Sequence, residues 1–64
     1  MPNTPAIPEF LIRQSDEALR NAHARAMGAS AVHQARGAFY FAELCENRAT
    51  EILAILDSRA SVAA

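Results

Sequence analysis

The chain is 64 residues long, with six Arg against seven Asp and Glu, no Lys, one Cys and two His, for a net charge of −1. At 52% hydrophobic and 20% charged residues it is too apolar for a disordered chain. A domain of this size buries only about 60% of the surface its unfolded form exposes; one Cys gives no internal disulfide and two His complete no tetrahedral metal site, so association with another copy or another protein is the expected staple.

Proline falls at positions 2, 5 and 8 and nowhere later, so residues 1–8 read as an extended arm, with Pro8 suited to the first turn of a helix. The spacing of three also matches the polyproline II repeat, which would put the rings on one side to dock on an aromatic groove. A plain lead-in that stops the helix is the simpler reading. No basic residue precedes an apolar stretch in this arm, and no run approaches the roughly 18 apolar residues of a membrane span, so neither a signal peptide nor a transmembrane helix is expected. The lone thiol then fits a reducing, cytoplasmic setting. The Ala excess and the lack of Lys read as the mark of a GC-rich bacterial or phage genome.

From Pro8 to Met27 the spacing predicts helix one. Ile12, Ser15, Leu19, Ala22, Ala26 and Ala29 recur at alternating spacings of three and four, and Glu9–Arg13, Asp16–Arg20 and Arg13–Glu17 are i,i+4 pairs on the wet face. At Gly28-Ala29-Ser30 the stripe loses phase, since a continued helix would bring His33 and Arg36 into it. The reading is a turn near 28–30, with Gly28 in the left-handed position after helix one and Ser30 capping helix two. A competing register places the break at Gly37, with helices over about 9–35 and 39–60.

Helix two, from Ala31 to Arg59, carries a heptad seam at Ala31, Ala35, Ala38, Ala42, Cys45, Ala49, Ile52 and Leu56. The small side chains at its start let two helix backbones approach closely, so the fold class is all-α: an antiparallel two-helix hairpin over 9–59, pairing into a dimeric four-helix bundle. Phe39, Tyr40, Phe41, Leu44 and Ile55 widen the apolar arc beyond the single stripe that a hairpin buries, and are read as partner-binding residues. The end, 60–64, reads as a frayed tail.

Candidate chemistry is sparse. Ser, His and Asp occur without a strained Gly-x-Ser-x-Gly turn, and two helices offer little room for a water-excluding pocket, so no enzyme and no cofactor are expected. His23, His33 and Cys45 lie ten and twelve residues apart, never one helical turn apart as metal-ligand pairs on one helix do, and Cys45 reads as a small hydrophobe in the seam. The Arg residues are scattered singly without the basic stripe that nucleic-acid binding requires. The expected partners are therefore a second copy and another protein, and the function is that of a small non-enzymatic regulator or adaptor.

In length and hairpin plan the chain resembles the Rop family of plasmid RNA-binding proteins, dimeric four-helix bundles that read an RNA kissing complex along one face. The resemblance is of architecture, without a shared residue motif. It implies RNA binding as the alternative function, with Arg13 and Arg20, seven apart on one helix face and doubled by a dimer, as phosphate contacts. The ending Val62-Ala63-Ala64 resembles the Leu-Ala-Ala end of the bacterial ssrA degradation tag, with Val in place of Leu, which would suit rapid turnover of a regulator.

Overall fold

The computed structural model describes residues 7–63. Three helices follow in order, α1 (Glu9–Ile12), α2 (Asp16–Ala35) and α3 (Phe39–Ala63), and no strand occurs among the described residues. Pro2 and Pro5, and with them most of the expected arm, lie outside the described residues, as does Ala64.

The single helix expected over Pro8–Met27 is broken early. Pro8 starts α1 with φ −57°, its carbonyl accepting the Leu11 N–H at 3.0 Å. After one turn, Gln14 N–H bonds back to the Leu11 carbonyl at 3.1 Å and the chain leaves helical geometry. Ser15 then caps α2, its Oγ accepting the Ala18 N–H at 3.1 Å. Asp16 and Glu17 follow in the first turn, where the helix dipole favours carboxylates. Ser15 is thus a cap rather than a member of the stripe.

The turn expected at Gly28-Ala29-Ser30 is absent, because α2 runs unbroken through these residues to Ala35. The turn sits at Gly37, the register held as the alternative. Gly37 adopts φ +75°, Ala38 N–H bonds the His33 carbonyl at 2.8 Å, and Gly37 N–H bonds the Gln34 carbonyl at 3.0 Å. This is a Schellman ending, which satisfies two of the last carbonyls of the helix and reverses the chain. The position of the large apolar side chains explains the outcome. A turn at 28–30 would set Leu19 opposite Phe39 and leave Ile52, Ile55 and Leu56 past the end of helix one. A turn at Gly37 brings them onto Leu19.

α3 folds back along α2, so Arg59 near its end meets Asp16 at the start of α2, and Glu46 meets Ser30. The core lies at the end far from the turn: Leu19 and Ile52 are wholly buried, Leu11 and Ile55 nearly so, with Ile7, Ala22 and Leu56 packed around them. Leu11 is α1's contribution, so the short helix serves as a cap on the core. The Arg59 guanidinium fastens it, donating to Asp16 Oδ1 at 2.6 Å and to the Ile12 carbonyl, at the end of α1, at 2.6 Å. Toward the turn the interface is built of small residues, with Ser30, Ala42 and Ala49 buried. α3 continues to Ala63, so the tail expected over 60–64 is helical through that residue.

Candidate functional site

Several of the apolar residues that the core leaves outside fall on the two edges of the α2–α3 pair, and two contacts identify which rows face each other. On one edge, Ser30 Oγ donates to Glu46 Oε1 at 3.2 Å and Gln34 Nε2 donates to the same oxygen at 2.8 Å. These residues belong to the rows Met27-Ser30-Gln34 on α2 and Phe39-Ala42-Glu46-Ala49-Leu53 on α3, each at spacings of three and four. Met27, Phe39 and Leu53 are the exposed apolar members of that edge.

On the opposite edge, His33 and Phe41 stack with ring centres 5.7 Å apart, and Tyr40 meets Phe41 edge-on at 5.5 Å. The rows here are Ala22-Ala26-Ala29-His33 on α2, all half-buried, and Phe41-Leu44-Arg48 on α3. α1 crosses the lower part of this edge. Its Phe10 ring lies over Arg48, with the guanidinium carbon 5.1 Å from the ring centre. Between Phe41 at one end and Phe10 at the other, Leu44 stands over a floor of alanines. A cleft of about 250 Å³ on the far side of α1 is lined by Ile7, Ile12, Ala54, Ile55, Ser58 and Arg59.

The residues expected to bind a partner are mostly outside. Phe39 is 69% exposed, Tyr40 67%, Phe41 55% and Leu44 47%. Ile55 is corrected, since it belongs to the buried core with Leu11 and Leu19. The expected dimer seam divides. Ala42, Ala49 and Ile52 are buried within the chain, and Ala38, Cys45 and Leu56 are half-buried, so these six of the eight are covered by the chain's own packing. Ala31 and Ala35 lie before the turn, on α2, and both are exposed. The stripe drawn through all eight residues spanned two helices.

Arg13 and Arg20, the alternative RNA contacts, are separated by the break at residues 13–15, so their spacing of seven no longer puts them on one face. Arg13 is tied to Glu9 at 2.8 Å, the one expected i,i+4 pair that forms. The Asp16 carboxylate turns to Arg59. No group of three or more His, Cys, Asp or Glu side chains among the described residues is placed to hold a metal, and no described helix is long and apolar enough to cross a membrane.

Three features escaped the sequence reading. Ser30 is a buried polar link to α3, Phe10 is a lid on Arg48, and Arg59 is the clamp on α1. Only Ser15-Asp16-Glu17 offered a local signal, a cap followed by two acids, that would have revealed the separate α1.

Comparison with protein-family models, with curated proteins and with solved structures finds no match.

Proposed function

We propose that this is a small non-enzymatic regulatory or adaptor protein that acts by protein–protein contact, its α2–α3 pair serving as an antiparallel hairpin and two copies joining as a four-helix bundle. The observation that carries this reading is the row of large apolar side chains left outside on both edges of the pair, Met27, Phe39 and Leu53 on one and Tyr40, Phe41 and Leu44 on the other. Scattered surface leucines need no explanation, but aromatic and aliphatic residues in rows are what interface centres are made of. The edge with Met27, Phe39 and Leu53 is assigned to the second copy, because the Ser30–Gln34–Glu46 hydrogen bonds tie the polar side chains between Met27 and Phe39 to one another and leave the apolar ones to pair. The Phe41 edge, half filled by α1, is assigned to the partner.

Light scattering or sedimentation at micromolar concentration tests the first assignment. The expected mass is about twice the 6.9 kDa of the chain, and Leu53→Arg is expected to return it to the monomer while Phe41→Ala leaves it unchanged. A monomer at all accessible concentrations removes the bundle.

A further inference from the structure

The Phe41 edge is a helix-binding slot that α1 fills for a single turn. α2 has 20 residues and α3 has 25, so the groove between them is about 30 Å long, whereas α1 covers only its lower end, from Arg48 under Phe10 to Arg59 at the Ile12 carbonyl. From Phe41 to Arg48, about 10 Å or two helical turns, no other helix among the described residues lies over the groove, with Leu44 on one side and the half-buried Ala26 and Ala29 on the other. The short helix shows what fits such a groove: Leu11 goes in almost completely, Phe10 lies across Arg48, and Glu9 stays exposed, paired with Arg13. An amphipathic turn is thus the occupant that this chain itself supplies.

On the α2 side of the open part the charge is of one sign. Between Ala18 and Ala42 the sequence contains Arg20, Arg25, Arg36 and both His but no Asp or Glu. Arg25 and Arg36 are eleven residues apart, three helical turns, so they fall on the same side of α2, beside the Ala29–His33 row. Both are exposed, and neither is ion-paired with a described residue. At the lower end Arg48 reaches Glu51 only at 3.7 Å, and its buried Nη1 has no acceptor among the described residues. The nearest acids on α3 above it are turned away: Glu46 is bound to Ser30 and Gln34 on the opposite edge, and Glu43 lies three residues before it on that same outer side.

From this we infer that the open slot between Phe41 and Phe10 binds an amphipathic helix of a partner protein whose apolar stripe, seated on Leu44 and Phe41, is flanked by Asp or Glu that face Arg25, Arg36 and Arg48. This rests on reading the Phe41 edge as an interaction surface and adds the partner's chemistry. A second copy in this slot is disfavoured, since a two-fold pairing of the edge with itself would bring like-charged arginines together.

Fluorescence anisotropy with two labelled synthetic helices decides it, each of roughly 15 residues so that it is helical enough to dock, one with a Leu/Ala stripe flanked by Glu and the other identical but with Lys for Glu. The full chain is expected to bind the Glu helix at least about tenfold more tightly. Leu44→Asp, an exposed position whose variant is checked for folding by circular dichroism, is expected to abolish binding, and Arg25→Glu with Arg36→Glu to reverse the preference. Equal binding of the two helices, an unreversed preference in the charge variant, or no binding of either overturns the proposal. So does capture of a short RNA at this surface, by competition, in place of the Glu helix. If peptide binding fails while the protein still has the dimer mass, only the acidic partner is lost; if the mass also stays that of a monomer, the broader reading falls with it.

Discussion

Replacing Gly28 by Ala adds a methyl group where no packing neighbour lies within 4 Å, in a helix whose φ at this position is not positive. The change removes backbone freedom from the unfolded chain and costs the folded one nothing, so it is expected to stabilise by ~0.5–1 kcal/mol. Space is equally open at Gly37, yet there φ is +75°, and Gly37→Ala is expected to cost ~1–2 kcal/mol because a Cβ crowds the following carbonyl in the left-handed region. Thermal unfolding of the two variants under identical conditions checks both signs at once. Opposite shifts locate the chain reversal at residue 37, and like shifts contradict it.

At the scale of the element, the three helices start differently. α2 has a Ser cap and two acids in its first turn, whereas α3 starts after Ala38 with Phe39-Tyr40-Phe41 and no acid. Ala38→Ser is expected to add ~0.5–1 kcal/mol by giving α3 the acceptor it lacks, and Ser15→Ala to remove ~1 kcal/mol from α2. Denaturant midpoints with an unchanged slope are the measurement. The helical class and the aromatic exposure were legible in the sequence, because Phe39-Tyr40-Phe41 cannot all face one way on any helix. The turn was not, and the reason is alanine. A stripe of Ala26, Ala29, Ala31 and Ala35 can be drawn on either side of Gly28, since a methyl group is tolerated in an interface and in water alike, and the helix propensity of Ala favours every register equally. Leu19, Ile52 and Ile55 have a strong preference, and only matching them across the chain selects Gly37. The missed site residues share a different cause: Arg59, Phe10 and Ser30 act through contacts with Ile12, Arg48 and Glu46 that no local pattern encodes.

For the whole molecule, stability rests on few large side chains. Leu19 and Ile52 are the only large ones wholly out of water among the described residues, with Leu11 and Ile55 close behind. Ile52→Ala is expected to cost ~2–5 kcal/mol, a large share of what so small a domain has. Burial of Met27, Phe39 and Leu53 in a second copy would make up part of that shortfall, and the melting temperature is then expected to rise as the protein is concentrated from the low-micromolar to the submillimolar range. A melting temperature independent of concentration contradicts the bundle.

The clamp joins Arg59 to Asp16, 43 positions before it, and to Ile12, 47 positions before it, and sets an order of events during synthesis. α1 leaves the ribosome among the first parts of this sequence, but Ile52, Ile55 and the guanidinium that hold it are made among the last. Until those residues are made, Leu11 lacks the side chains that bury it.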